Sequence, residues 1–575
     1  MKTPRSLLAA LFATVHLQLP PPCHSFSAKL TTNPKAAPGT NNVNFEDWIT
    51  DAPEEVREWK DLTVRGDIPD YVRGTWIRNG GGIWSGGDNG DGGESFSHIF
   101  DGFAKVSAYR FGNGRLRHQA RFLEGKWYKK FQSDGSLPPS IGTGPILDAS
   151  GTPKVGAART VGAILNVATA FDNAPVNIWD FDPLSRTAGP KRVEALTDAP
   201  PRVNLDYDTM DTLSSSTINP LAKGIRGFEL LITAHPLYSL ESDDTYNIAV
   251  EIGLGLPNAR VNLIKETPLG DRSVVGSFAT DDGIPYFHSF GLSRNYAVVV
   301  VQPLRIDPGN LSGLLEKGFM RSMKSVEKTR VVVLDLKTGE CVLDQSVPEP
   351  LYFYHAVSTA EVDHGRSLSL RLCAYKSSDQ LTGENQFMRL ERCRRGKEWR
   401  NKLDKGGRFC DVVCDLEKGT FSLRWDDRIR QGFELPVTRY SRAHGGSVEE
   451  RREAADAPID GHPRYVYSFG AFALGAEEYD AWGLFKFDTE RREVAASYRC
   501  DSVYVSEPVF VPDPSGSGED DGVLLTQAYF GAERETRLLV LDARTMEVVA
   551  EAGTGMRTPM DFHGGWIPEG GGGRP

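Results

Sequence analysis

Cysteine is scarce in this chain of 575 residues: the seven, at positions 23, 341, 373, 393, 410, 414 and 500, are odd in number and only Cys410 and Cys414 lie close together. A disulfide scaffold is therefore disfavoured. The close pair lacks both a CxxC spacing and a histidine at finger distance, and it reads as two buried, unligated thiols. A basic surplus is also lacking, since 66 basic residues face 77 acidic ones for a net charge of −11. Nucleic acid is excluded as an expected partner, because phosphate-backbone binding needs the opposite balance. Past the N-terminus no apolar run reaches the roughly 18 residues of a membrane-spanning helix. Strong amphipathic-helix periodicity is missing as well. What is present is ample material for a large core, with 39% hydrophobic residues, 59 Gly and 35 Pro.

Residues 1–40 read as a processing segment. Two early basic residues precede a mostly apolar stretch from Leu7 to Leu19 and then Pro20–Pro22, which is signal-peptide grammar and too short to cross a bilayer. The next stretch, Cys23–Thr40, has no acidic residue and is rich in Ser, Thr, Ala and Lys, a transit-peptide composition. A signal followed by such a stretch, here with Ser25-Phe26-Ser27-Ala28, resembles the two-part presequences of algae with complex plastids, so a plastid is the expected location and plain secretion through the ER the alternative. Residues 41–575 read as a single domain.

One pattern recurs through that domain: an alternating apolar run, an acidic or Asn/Gly turn, and a second short apolar run. It appears at Ala104–Phe122, Val203–Leu213, Val261–Phe278, Val331–Leu343, Asp411–Leu423, Gly483–Val494 and Leu538–Val549. These are seven strand-turn-strand units. Their spacing exceeds the ~40–45 residues of the most compact propeller repeats, so the surplus sits in loops. The expected fold is all-β, a seven-bladed β-propeller, with two or three β-sandwiches as the alternative. Long segments such as Arg305–Lys328 and Lys376–Arg408 become a helical and loop cap over one face, where propellers place their sites.

Of the eleven histidines, His16 and His24 lie in the presequence. His98, His118, His364, His444 and His462 sit in polar or turn-like sequence and are not expected to be ligands. Four others are embedded in aromatic or apolar residues: His235 (ITAHP), His288 (IPYFHSF), His355 (LYFYHAV) and His563 (MDFHGGW). They are separated by 53, 67 and 208 residues and so belong to different blades. Blades converge on one axis, so innermost strands can aim distant residues at one central point. An all-imidazole site suits Fe, Cu, Zn or Ni, and spacing alone does not choose among them.

The segments around these four histidines, with His98-Ile99-Phe100-Asp101-Gly102, Ser506-Glu507-Pro508-Val509-Phe510-Val511-Pro512, Glu519-Asp520-Asp521-Gly522 and Leu541-Asp542-Ala543, resemble the carotenoid cleavage oxygenase family. The likeness runs from about Gly74 (GTWIRNGGGIW) to Trp566. It implies a seven-bladed propeller with Fe2+ on the axis, held by His235, His288, His355 and His563 with two positions open. It also implies O2-dependent scission of a C=C bond in a carotenoid or apocarotenoid to two carbonyl products, with no organic cofactor. A polyene isomerase or isomerohydrolase on the same fold, and a carotenoid-binding propeller without turnover, are the alternatives.

Ligating imidazoles usually donate their other N–H to a carboxylate. By motif, two such acids are Glu434 (GFELPVTRY) and Glu507 (SEPVFVP), while the third expected glutamate is replaced by Asp198 (ALTD). Being one methylene shorter, Asp198 is expected to fall short of its histidine unless the backbone shifts or a water intervenes. Ser358 and Glu361 stand where the family commonly has Asn and Glu, Gly81 where Pro is usual, and Phe103-Ala104 replaces a more polar continuation. Tyr286, Phe287, Phe290, Tyr352, Phe353 and Tyr354 are candidates for a substrate tunnel. Leu311–Met323, with Leu311, Leu314, Leu315, Phe319 and Met320 beside Lys317, Arg321 and Lys324, has interfacial-helix grammar, which fits peripheral membrane contact.

Overall fold

The computed structural model describes residues 24–26, 44–87, 93–112, 114–138, 142–154, 172–180, 192–218, 221–253, 258–306, 311–383, 388–394, 406–440, 462–473 and 482–569. His444 lies outside them.

Among the described residues seven antiparallel sheets have four or more strands, and two small sheets have three. Each of the seven expected hairpins falls in a different one of the seven larger sheets. Apart from His24–Phe26 and Val64–Gly66, which add to the far edges of the last two, these sheets begin in chain order with Asn177–Trp179, Phe228–Ile232, Gly291–Leu292, Tyr352–Val362, Gln431–Val437 and Val503–Val505. The seventh sheet joins the two ends of the domain: Asp561–Pro568 pairs with Gly74–Ile83, which continues into Phe103–Gly112 and Arg115–Phe122. Val64–Gly66 then clasps Val548–Gly553 on the outer edge of the preceding sheet. Ring closure thus rests on residues nearly five hundred apart in sequence.

Strands in the middle of this arrangement are apolar on both faces because both faces are covered. In Thr329–Asp335, Val331 and Val333 pack with Leu368, Leu370, Leu372, Cys410, Val412 and Cys414 of the following sheet. Val332 and Leu334 point the other way, toward Val250, Val261 and Leu263 of the preceding one. Period-two alternation therefore serves two interfaces at once. Cys410 and Cys414, four residues apart on one strand, are both buried within the first of these interfaces. Of the six described cysteines five are free thiols and Cys500 is disulfide-bonded.

Five of the seven hairpins share one turn. The aspartate ending the first strand accepts main-chain N–H groups with a single oxygen: Asp335 from Lys337 and Thr338, Asp542 from Arg544 and Thr545, Asp206 from Asp208 and Thr209, Asp488 from Glu490 and Arg491, and Asp415 from Lys418. Four residues after each aspartate the backbone turns left-handed, at Gly339, Met546, Met210, Arg492 and Gly419, with φ of 74°, 64°, 56°, 58° and 64°. This Asx turn is the physical content of the acidic signal read from sequence.

The segment after Leu304–Ile306 carries short helices at Leu311–Lys317 and Phe319–Ser322, and Leu390–Arg394 is a third. Leu314 and Met320 are buried in the core that contains Tyr286, and Phe319 packs beside it. These three side chains pack against the protein, as in a cap helix; the side chains of Leu311 and Leu315 lie outside the described residues.

Two glycines in the shared turn separate its local strain from its packing. A Cβ on Gly419 would meet open space, whereas on Gly339 it would lie 2.1 Å from the carbonyl oxygen of Val275 in the neighbouring sheet. Gly419→Ala should cost about 1 kcal/mol, the left-handed penalty alone. Gly339→Ala should cost at least about 2 kcal/mol, because a strand must also move. Thermal unfolding of the two variants checks this, and equal losses would disprove the inter-sheet contact.

Candidate metal centre

Each larger sheet delivers one residue to a common point. His235 follows Phe228–Ile232, His288 precedes Gly291–Leu292, His355 lies in Tyr352–Val362 and His563 in Asp561–Pro568. Glu434 lies in Gln431–Val437, Glu507 between Val503–Val505 and Val509–Pro512, and Asp198 in the turn joining Arg192–Thr197 to Ala199–Asp206. Regular pleating would not aim all of them inward. Register shifts occur at Ala195/Thr197, on both sides of Ala356, on both sides of Glu434, and between Asp561 and His563. Such bulges re-aim side chains. Leu435, next to Glu434, takes a left-handed φ of 54°, a strain that marks functional positions.

The ligand atoms of His235, His288, His355 and His563 all lie within 4.8 Å of one another. Successive Nε2 atoms are 3.0, 3.2 and 3.1 Å apart from His235 through His288 and His355 to His563. On the opposite side of three rings a carboxylate receives Nδ1: Asp198 at 2.6 Å from His288, Glu434 at 2.6 Å from His355 and Glu507 at 2.8 Å from His563. These contacts assign the proton of each of the three rings to Nδ1 and leave a lone pair on Nε2. Desolvation, then the three neighbouring imidazoles, hold His235 well below the usual histidine pKa, so it is neutral too. Lone pairs about 3 Å apart in a buried site repel one another unless a cation lies among them. The donor set therefore fits a metal ion, of the kinds that imidazole favours.

Each carboxylate is itself held from behind. Tyr286 donates its hydroxyl to Asp198 Oδ2 at 2.8 Å, and the Ala234 N–H donates to Oδ1 at 2.9 Å. Tyr375 donates to Glu434, whose other oxygen also accepts the Leu435 N–H at 2.9 Å. Burial alone would raise the Glu434 pKa, but His355 and these donors hold it below the usual value. Arg78, 1% exposed, donates to Glu507 at 2.6 Å and to both oxygens of Asp561 at 3.0 and 2.7 Å. Gln527 joins Asp561 to Ser107 and Tyr109, and Ser107 reaches His118.

Of the two ways in which the shorter Asp198 was expected to keep its histidine, the structure has the first: the side chain reaches His288 directly, beside a register shift at Ala195/Thr197. Of the six aromatic residues expected to line a tunnel, only Tyr354 borders the cavity described next; Phe287, Phe290, Tyr352 and Phe353 are core, and Tyr286 backs Asp198. His98, His118 and His462, expected in polar surroundings, are all buried, yet none belongs to the cluster. His462 is held by Ser358 at 2.7 Å and Ser369 at 2.8 Å, so the serine that departs from the family pattern serves local packing, and Glu361, which keeps the family residue, bonds Asn295.

A cavity of ≈ 90 Å³ opens onto His288, His355 and His563. Its other walls are mainly apolar: Phe100, Val176, Met388, Phe433, Leu435, Phe469, Trp482, Met560 and Phe562, with Tyr354 and Tyr375. Phe100 meets Phe562 edge-on at 4.8 Å, and Trp482 stacks on Phe469 at 5.5 Å. Sequence reading missed these walls, although Phe433 and Phe562 adjoin Glu434 and His563, and Phe100 sits in the quoted HIFDG motif.

Residues 49–568 match the family described as RPE65, retinal pigment epithelial membrane protein. The chain belongs to this family of carotenoid oxygenases. It is 26% identical over 553 residues to the carotenoid isomerooxygenase of Galleria mellonella, covering 91% of this chain and 96% of that one. It is 24% identical over 560 residues to the mitochondrial carotenoid-cleaving dioxygenase of Homo sapiens, covering 90% and 89%. With the chloroplastic carotenoid cleavage dioxygenase 8 of Arabidopsis thaliana the identity is 24% over 527 residues, covering 88% and 84%. Among solved structures, cobalt-substituted Synechocystis apocarotenoid oxygenase superposes with a TM-score of 0.69 at 20% identity, covering 91% of this chain and 98% of that one. A point mutant of the same enzyme gives 0.70 at 21% identity, covering 91% and 99%. The fold is accordingly the all-β propeller of these oxygenases.

The direct Asp198–His288 contact leaves no gap for a longer side chain to fill. Asp198→Glu must fit a further methylene into an occupied space and should bind metal less well than the parent chain. Asp198→Ala should lose about 10–100-fold in metal affinity. Metal content after dialysis checks both, and a glutamate variant that binds better than the parent would disprove the reading.

Proposed function

We propose that this protein is a non-haem iron(II) dioxygenase that uses O2 to cleave a C=C bond of a carotenoid or apocarotenoid into aldehyde or ketone products. The observation that carries the proposal is the direct opening of an apolar, aromatic-walled cavity onto three of four converging imidazoles. In this reading His235, His288, His355 and His563 are the iron ligands, and Asp198, Glu434 and Glu507 fix the orientation of three of them. Iron(II) bound there supplies the redox chemistry with O2.

The chain's own residues do the positioning. A polyene offers no hydrogen-bonding group along its conjugated length, so shape and aromatic contact must select the bond presented to the metal. Phe100, Phe562, Phe469 and Trp482 supply that contact and exclude water from the histidines. Tyr354, edge-on to His288 at 5.2 Å, stands at the boundary between cavity and centre. Polyene isomerisation is the second reading, and the name of the Galleria relative favours it.

Iron-loaded protein, incubated aerobically with a panel of carotenoids and apocarotenoids under 18O2, should yield labelled carbonyl fragments whose masses locate the cleaved bond. An isomer of unchanged carbon number would replace cleavage by isomerisation, and an unaltered ligand would leave a binding protein. Replacing any one of the four histidines by Ala should abolish turnover and lower iron below about one per chain, whereas His364→Ala should change neither.

The proposal extends to location and uptake. Residues 1–40 act as a two-part plastid presequence, and carotenoids, nearly insoluble in water, are taken up at a bilayer surface. A reporter fused to residues 1–40 should enter the plastid in an alga with complex plastids, and export to the medium would overturn the assignment. The mature chain should float with liposomes.

A further inference from the structure

The two oxygens of Asp198 bind two ligand-bearing segments. Its Oδ1 accepts the N–H of Ala234, which precedes His235, and its Oδ2 accepts Nδ1 of His288. The same Oδ2 also accepts the hydroxyl of Tyr286 at 2.8 Å, and that hydroxyl lies 3.3 Å from His288 Nδ1. Tyr286 and His288 are two residues apart, and both side chains reach the same oxygen. A phenol and an imidazole from one segment thereby close on one carboxylate oxygen contributed by another sheet.

A carboxylate is planar, and its plane is fixed when each oxygen is held from a different direction. Ala234 holds one oxygen and Tyr286 the other, so the third donor, His288, meets an acceptor already oriented. Tyr286 is 2% exposed and buried in the core with Phe290 and Phe319 beside it. Without the hydroxyl, Asp198 Oδ2 would keep only the imidazole, and the carboxylate could turn about its Cα–Cβ and Cβ–Cγ bonds. Glu434 has a comparable phenol in Tyr375, so the device occurs twice around the centre.

We propose that Tyr286 is a positioning residue of the metal centre, its hydroxyl setting the Asp198 carboxylate that orients His288 and ties in the segment of His235. This rests on the reading of the four histidines as metal ligands.

Cobalt(II) provides a test independent of turnover. Metal-free full-length protein is titrated with CoCl2, following affinity and the visible d–d absorption that reports ligand geometry. Tyr286→Phe keeps the ring and removes only the hydroxyl. It should weaken cobalt binding by about 10–100-fold and shift the d–d bands, as loss of an outer partner does at other metal sites. Combined with Asp198→Ala it should add nothing to the loss caused by Asp198→Ala alone, because the two act through one contact. Unchanged affinity and spectrum in Tyr286→Phe, or losses that simply add, would overturn the proposal. So would a metal-free melting temperature that falls as far as the metal-loaded one, since the hydroxyl would then serve packing. A parent chain that takes up no cobalt would instead overturn the metal-centre reading itself.

Discussion

Four imidazole nitrogens facing one another at about 3 Å are the constraint around which this molecule is arranged. Each is a lone-pair donor only if its ring is held in one tautomer and pointed at a shared centre, and a flexible loop cannot hold four rings to that tolerance. The fold answers with rigid strand edges. Every larger sheet brings one group: four bring histidine and three bring a carboxylate that locks a histidine of another sheet. No local stretch of sequence contains the centre, so it exists only when the ring of sheets has closed through the pairing of Gly74–Ile83 with Asp561–Pro568.

The repeating units were plain in the sequence because their causes are local. An aspartate whose side chain caps the turn, a left-handed position four residues on, and apolar residues alternating on either side are properties of a dozen residues at a time. The four histidines were legible for a different reason, since His235, His288, His355 and His563 sit in family motifs. Burial alone would not have separated them: His98, His118 and His462 are as enclosed, and polar sequence around them concealed it. What distinguishes the two groups is convergence of distant strands, which a single sequence does not display.

What the sequence left open turns on backbone irregularity. The shorter side chain of Asp198 called for a backbone shift or a water, and the structure has a bulge beside it and a direct contact. The aromatic run around Tyr352–Tyr354 was assigned to a tunnel, yet strand alternation sends Phe353 into the inter-sheet core and only Tyr354 to the cavity. Part of the cavity wall, Phe433 and Phe469, comes from a sheet that carries no histidine ligand, and Trp482 immediately precedes another of its strands. Bulges and sheet order are long-range outcomes, and they decide which face of a strand a residue occupies.

The outer partners of the three carboxylates differ in kind but agree in charge. Asp198 and Glu434 are each backed by a neutral phenol, so each arrives at its histidine with one formal negative charge. Glu507 is backed by a guanidinium, which taken alone would cancel that charge. Asp561 prevents the cancellation: it pairs with Arg78 through both oxygens, so the group of Arg78, Asp561 and Glu507 again carries one formal negative charge. The buried arginine is thus matched by an acid of its own, which lowers the cost of enclosing it. Asp561 lies two residues before His563 on the same strand, where the bulge separates them in register. The strand that closes the ring therefore carries both a histidine and the counter-charge that keeps its carboxylate partner equivalent to the other two, and closure of the fold and electrostatic balance of the centre are one event.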